Sequence, residues 1–343
     1  MHWKSVLRLG AAALMLSAFV PVERAAAQAP LPIRFIMDWA FEGAQAIWPL
    51  GETDGCYAHA GLAVRIDRSY GSADALTKVA SGAYDVGVSD FSTMVGFDAQ
   101  HPEKRLIAIF MVSDVAPMSI VTLKGNGITK PSDLKGKSIA DGVTEASRVM
   151  FPVFAKANHI DPKSINWVTT SYALRQQLLV QHRADAVAGH MFTILTGLRA
   201  LGVKDQDIVV LRYSQWGVNF YGNAIVTTPA WAAAHPAAAK AFVACAAQSI
   251  KSSRADPKGA IDALKKYNSL LDEKTELAAL AFSNSIAIGT PWAMKHGLSD
   301  VTHARLEHTV TEATEALGVP TPPLADVWTD KYLPPRKDLM LAK

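Results

Sequence analysis

Short, almost wholly apolar runs that stop at polar loops alternate along this chain with longer stretches of helical spacing. The first such run, Ile33-Arg34-Phe35-Ile36-Met37, ends at Asp38-Trp39. Ala63-Val64-Arg65-Ile66-Asp67 runs out at Tyr70-Gly71-Ser72, and Asp85-Val86-Gly87-Val88 at Ser89-Asp90-Phe91-Ser92. Runs of this length, bounded by turn residues, predict buried strands. Residues 73–81 between the second and third read as a helix, with Ser72 as the predicted N-cap and Gly82 as the stop.

The alternation continues. Residues 106–112 and 118–123 predict strands, Gly125-Asn126-Gly127 breaks the pattern, and 131–134 form a short helical turn. A second series follows: strand 137–140, a helix over 147–158 kinked at Pro152, strand 165–168, helix 172–182, and strands 186–188 and 208–211. Strand 223–227 is predicted to return to the first series, and from Pro229 onward the pattern is mostly helical. The fold class is therefore α/β, in two lobes, each a sheet flanked by helices. The expected organisation is a leader over 1–27, a first lobe over 28–124, a second over 125–215, and a return to the first lobe with C-terminal helices over 216–343. Strand carboxyl ends and the helix N-termini after them face one crevice, so the polar loops converge there. Two lobes joined by two crossovers make a hinged clamp that holds its ligand at the interface.

The first 27 residues change the picture of where the protein works. Lys4 and Arg8 precede an apolar run over 9–20, and Ala25-Ala26-Ala27 supplies small residues for cleavage, which is the pattern of a secretory signal peptide. The run is well short of the roughly 20 apolar residues needed to span a bilayer. The expected location is the periplasm. Without residues 1–27 the formal net charge falls from +3 to +1, because Lys4, Arg8, Arg24 and Glu23 leave with them. No Lys/Arg block with interleaved aromatics is present, which argues against a nucleic-acid partner. At 50% hydrophobic and 19% charged, the 343 residues suit a globular protein with a large core.

The chain has two cysteines, Cys56 and Cys245. In an exported protein they can form a disulfide, but each also sits in a predicted helix where a free cysteine packs as a small hydrophobe. Their spacing in sequence does not decide between these. Two cysteines so far apart make no zinc site, and no metal or cofactor is expected.

Several of these segments resemble the type II periplasmic substrate-binding proteins of the nitrate, sulfonate, taurine and thiamine-pyrimidine-precursor importers. Asp38-Trp39 resembles the Asp-Trp that closes the first strand in the pyrimidine-binding branch, and Gly61-Leu62-Ala63-Val64 the motif that opens the second strand. Gly82-Ala83-Tyr84-Asp85-Val86-Gly87-Val88-Ser89, Asp133-Leu134-Lys135-Gly136-Lys137 and Arg183-Ala184-Asp185-Ala186 match further motifs in the family's order. The resemblance implies a monomeric receptor that closes on a small molecule and delivers it to an ABC permease and ATPase. The Pro-Asn and His that follow Asp-Trp in the pyrimidine branch are replaced here by Phe41-Glu42 and Gln45. The Cys-rich motif of the fungal pyrimidine synthases on this fold is absent, so the resemblance does not extend to their iron chemistry.

Candidate ligand-binding residues follow from position. Trp39 offers a flat stacking face or fills the core; Asp38 pairs with a ligand donor or accepts backbone N–H groups. Glu42 suggests a ligand with donors, against a solvated loop carboxylate. Ser72 and Ser89 place hydroxyls at loop mouths, while Asp90 caps the following helix or meets the ligand, and Phe91 lines the cleft or packs under it. Thr144 and Glu145 belong to the corresponding second-lobe loop, and His190 follows a strand in the same way. Trp216 and Tyr221, near the return crossover, complete an aromatic cage or pack the hinge. The acidic and aromatic mouth favours a planar nitrogen heterocycle. A sulfonate, taurine, nitrate or aromatic carboxylate is the alternative, disfavoured by the lack of Arg in the three first-lobe loops unless Arg148 or Arg175 reaches in.

No nucleophile elbow, His-Glu-x-x-His helix, phosphate loop or paired Gly-x-Gly-x-x-Gly occurs, so no enzyme activity is expected. An exported enzyme or a sensor module on the same fold is the alternative class.

Overall fold

A computed structural model describes residues 29–342; the predicted leader over 1–27 lies outside the described residues. Ten strands form two five-stranded sheets. The first holds β1 (Leu31–Met37), β2 (Leu62–Arg68), β3 (Val86–Asp90), β4 (Ile107–Met111) and β10 (Asn223–Thr227), in the order β2-β1-β3-β10-β4. The second holds β5 (Met118–Leu123), β6 (Ser138–Asp141), β7 (Asn166–Thr169), β8 (Ala186–His190) and β9 (Ile208–Arg212), in the order β7-β6-β8-β5-β9. The two orders are equivalent, and in each sheet the strand contributed from across the hinge, β10 or β5, runs antiparallel to both its neighbours.

The parallel strands alternate with helices. In the first lobe these are α1 (Ile47–Thr53), α2 (Cys56–His59), α3 (Ser72–Ala80) and α4 (Phe91–Gln100); in the second, α5 (Ala146–Val149), α6 (Phe151–Ala157), α7 (Tyr172–Val180) and α8 (Met191–Ala200). After β10 come α9 (Pro229–Ala234), α10 (Pro236–Ala255), α11 (Pro257–Lys265), α12 (Glu273–Ser283), α13 (Pro291–His296) and α14 (His303–Leu317).

The inner strands of each sheet are buried on both faces, which is why they read as nearly continuous apolar runs, whereas the edge strands β2 and β7 are partly exposed. Along β1, Ile33, Phe35 and Met37 enter one core with Trp48, Tyr57 and Phe242, while Ile36 faces the opposite core with Leu76, Phe91 and Met94. The second sheet divides in the same way between Ile120, Ile139 and Ala188 on one side and Val121, Ala140 and Val187 on the other. Cys56 of α2 and Cys245 of α10 are joined by a disulfide that ties the outer helical layer of the first lobe together, resolving the alternative left open by the sequence.

The first crossover comes earlier than the 124/125 boundary expected from sequence. Residues 118–123 form β5 of the second sheet, so the chain changes lobes over 112–117. It returns before β10, and the two crossing segments bond to each other: Ala116 N–H donates to Phe220 O at 2.9 Å, and Gly222 N–H to Ser113 O at 3.0 Å. Arg305 of α14 pairs with Asp114 at 2.6 Å and so pins this hinge from the C-terminal region. The C-terminal helices are not confined to the first lobe: α14 packs on both α4 and α6, and α12 lies against α8. The break expected at Pro152 occurs two residues earlier, at Met150, with Pro152 inside the first turn of α6. Among the described residues, no helix is long and apolar enough to cross a membrane.

Candidate functional site

The loops after β1, β2, β6 and β8 and one face of α7 meet between the lobes. Asp38, Trp39, Glu42, Gln45, Gly71 and Ser72 come from the first lobe, and Glu145, Arg175, His190, Phe192 and Thr193 from the second. The free space among them is about 10 Å³, close to that of one water, so these walls are in their closed arrangement.

Asp38 is buried and hydrogen-bonded through both oxygens. Its Oδ1 accepts from Gln45 Nε2 at 3.0 Å and its Oδ2 from Asn223 Nδ2 at 2.7 Å, while Gln45 Oε1 accepts from Trp48 Nε1 at 2.8 Å. Burial raises its carboxyl above the ordinary range, opposed by nearby His190 and these two amide donors. The Trp39 ring meets Tyr172 edge-on at 5.2 Å, and its Nε1 has no partner among the described residues.

Arg175 is the unusual group. It is 0% exposed, on the buried face of α7. Its Nη1 donates to Asp141 Oδ1 at 2.8 Å and to Ala188 O at 2.7 Å. Nε and Nη2 have no partner among the described residues. Gly189 makes room for it: at φ +148° a Cβ there would stand 2.4 Å from Nη1. Burial and the Glu145 charge push the Asp141 carboxyl well up, with Arg175 acting in the opposite sense. An unpaired buried guanidinium edge is costly, and a bidentate anion is its natural complement. His190 Nε2, another cleft group, is also unpartnered among the described residues.

Four contacts hold the lobes together across this space. Thr193 Oγ1 donates to Glu42 Oε1 at 2.5 Å, Thr144 Oγ1 to Tyr70 O at 2.6 Å, Ala73 N–H to Thr144 O at 3.1 Å, and Arg68 Nη1 to Tyr172 Oη at 2.5 Å. Burial pushes the Glu42 carboxyl up to about 7, offset in part by the Thr193 hydroxyl. At Gly71, with φ +123°, a Cβ would lie 2.6 Å from Thr144 O. Gly71→Ala is expected to lose most of the ligand-induced thermal shift, because closure is obstructed. Its ligand-free form should lose only about 1 kcal/mol to backbone strain. Thermal melts with and without ligand, together with the ligand-induced change in small-angle scattering, check this; a full ligand response would show that closure tolerates the methyl.

Of the residues expected from sequence, Asp38, Trp39, Glu42, Ser72, Glu145 and His190 come together here. Ser72 is not the N-cap of α3; Gly71 holds that position, and Ser72 Oγ accepts from Asp90 N–H at 3.0 Å. Glu145 caps α5, accepting from Ser147 N–H at 2.7 Å. Ser89 is turned inward and donates to Asp90 O at 3.1 Å, and Asp90 caps α4 through Thr93 N–H at 2.9 Å. Thr144 fastens the lobes beside the pocket. Phe91 lies in the core behind the first sheet, because a side chain at the start of α4 points back under the sheet. Trp216 packs on the second-lobe core. Tyr221 also lies outside the cleft: its Oη accepts from Thr302 N–H at 3.0 Å and its ring carries the Arg305 guanidinium at 4.2 Å. Thr193 was not singled out from sequence; Phe192 stood out only as part of the stretch 189–192 expected to face the cleft, Gln45 only as the replacement for the pyrimidine branch's His, and Arg175 only as a residue able to reverse the ligand preference. A charge three residues after Tyr172 and four before Leu179, within the stripe α7 buries, is the signal that marks it.

Two mixed sheets with this strand order, two crossovers and a site between them define the type II periplasmic-binding-protein fold. The chain belongs to the NMT1/THI5-like family, whose model matches residues 48–260. A solved structure from Bordetella bronchiseptica RB50 is similar, with a TM-score of 0.68 at 19% identity over 88% of this chain and 95% of that one. The alkanesulfonate-binding protein SsuA of Xanthomonas axonopodis pv. citri, solved bound to MOPS, gives 0.66 at 15% identity over 90% and 99%. The periplasmic aliphatic sulphonate binding protein SsuA of Escherichia coli gives 0.66 at 14% over 88% and 92%. No curated protein sequence matches.

Proposed function

We propose that this protein is a periplasmic solute-binding component of an ABC importer that captures a small organic anion by closing its two lobes. The unpartnered Nε and Nη2 edge of Arg175, buried in the interlobe pocket, carries this reading. A carboxylate or sulfonate accepts both N–H groups side by side, Trp39 Nε1 supplies a further donor, and His190 Nε2 is a further unpartnered polar atom beside them. Phe192 and the Trp39 ring cover the apolar part. Family membership and the sulfonate-binding proteins among the similar structures support a receptor over an enzyme. The disulfide supports an oxidising compartment.

The heterocycle favoured by the Asp38-Trp39 pair draws less support. A ligand donor at Asp38 would have to share the two oxygens with Gln45 and Asn223, which already donate one hydrogen bond to each, whereas no protein group occupies the Arg175 edge. Ligand contacts to both lobes favour a closed state, and because 10 Å³ of free space is too small for an organic anion, the walls stand further apart than here both for entry and around the bound ligand.

The test is a thermal-shift panel of the mature protein against alkanesulfonates, taurine, aromatic and aliphatic carboxylates, nitrate and pyrimidines. A ligand that binds only the folded state raises the melting temperature, by an amount that grows with concentration over Kd. Shifts with carboxylates or sulfonates are expected. A shift with pyrimidines alone would overturn the anion reading in favour of the heterocycle.

A further inference from the structure

A second space lies beside the interlobe pocket, on the other side of Glu42 and Thr193. About 310 Å³ lies between α7, α8 and α12, walled by Ala173, Ala200, Leu201 and Ala279 with Gln176 and Thr196, and it shares Glu42 and Thr193 with the pocket. The Glu42–Thr193 hydrogen bond is therefore the partition between the two. No lysine or arginine lines this groove, whereas two carboxylates, Glu42 and Glu276, do. Glu276 accepts the Gly43 N–H from the loop after β1, which fixes it beside Glu42. The Thr196 hydroxyl is buried there with no partner among the described residues. The inner pocket thus presents a cationic edge, and the groove beyond it presents acid and hydroxyl groups on an aliphatic wall.

We propose that pocket and groove form one elongated site, and that the ligand is a chain-like zwitterion whose anionic head pairs with Arg175 and whose aminated tail passes between Glu42 and Thr193 into the groove. This rests on the anion reading of Arg175 and extends it to the other end of the molecule. An ammonium beside Glu42 and Glu276 brings a counter-charge to two carboxylates that hold only the neutral donors Thr193 Oγ1 and Gly43 N–H, and a methylene chain covers Ala173, Ala200 and Ala279. A ligand carrying only the head leaves the groove unfilled and the carboxylates unpaired.

Glu42 makes the proposal readable by pH. The charged groups around it are Glu276, Asp38 and Arg175, with His190 on the opposite wall. With its carboxyl pushed up to about 7, closure over an uncharged tail takes up a proton between the ordinary carboxylate range and 7. Affinity for such a ligand falls as pH rises through that window. A bound ammonium holds Glu42 ionised, so closure takes up no proton there and affinity stays level. The preference for the aminated chain over its plain counterpart therefore grows with pH.

Calorimetric titration with taurine, hexanesulfonate and ω-aminohexanesulfonate at two pH values, one near 5.5 and one near 7.5, tests this. The wild type is expected to prefer the long aminated chain over hexanesulfonate by about tenfold at the higher pH, and by less at the lower. Glu42→Gln should erase that preference and its pH dependence. Ala200→Trp, at an exposed position of α8, should weaken both long chains about tenfold and leave taurine unchanged. Anions that bind with no difference between short and long chains, in wild type and A200W alike, would overturn the elongated site while leaving the anion reading intact. A wild type that binds none of the three, with Arg175→Gln indistinguishable from it, would instead remove the reading on which the proposal rests.

Discussion

Removing the Cys56–Cys245 bridge is expected to cost about 5 kcal/mol of unfolding free energy. The bridge closes a loop spanning 189 positions, and the entropy it withholds from the unfolded chain grows with the logarithm of that length. Both cysteines lie in the outer layer of the first lobe, Cys245 fully within its core, where alanine is a mild packing change. The double variant Cys56→Ala/Cys245→Ala should therefore unfold like the reduced wild type. Urea denaturation of oxidised, reduced and substituted protein measures this directly. A loss of about 1 kcal/mol or less would mean that the unfolded chain already keeps α2 and α10 together. Ligand selectivity should not change, because neither helix reaches the interlobe pocket.

The inner strands were legible because both of their faces are covered. In the run 33–37 only Arg34 reaches solvent and 35–37 are buried without a break, and its stop at Asp38-Trp39 is where the chain reaches the cleft. The strand that changes lobe was not legible: 118–123 is as apolar as the first-lobe strand 223–227, and apolar content does not say which sheet it joins. The same limit separates Trp39 from Phe91. Both are aromatics at strand ends, but Trp39 sits in an irregular loop that faces the opposite lobe, whereas Phe91 begins α4 and is carried under the sheet. Tyr221 and Trp216 were drawn toward the site by their nearness to the hinge, yet the hinge is a packed ribbon whose aromatics support Arg305 and the second-lobe core. Arg175 depends on Asp141 and Ala188, distant in sequence and converging only through the parallel order of β6 and β8.

Arg175 also carries the largest expected effect on binding. Arg175→Gln is expected to weaken anion binding by 100-fold or more, on the order of 3 kcal/mol, the range for removing one partner of a buried charge-assisted pair. Part of that loss belongs to Asp141, which the substitution leaves buried without its ion pair. Burial already pushes the Asp141 carboxyl well up, so it answers by holding a proton, and the fold survives with reduced stability. The double variant Arg175→Gln/Asp141→Asn removes this complication, since it keeps a neutral hydrogen-bonded pair where the ion pair stood. It should melt close to the wild type and still fail to bind sulfonates and carboxylates. Arg175→Lys keeps the charge but loses the planar fork, and should recover only part of the affinity. Anion binding by the double variant at wild-type strength would mean that the charge of Arg175 serves Asp141 alone, and that the anion is held by Trp39 Nε1 and His190 Nε2 on the facing walls.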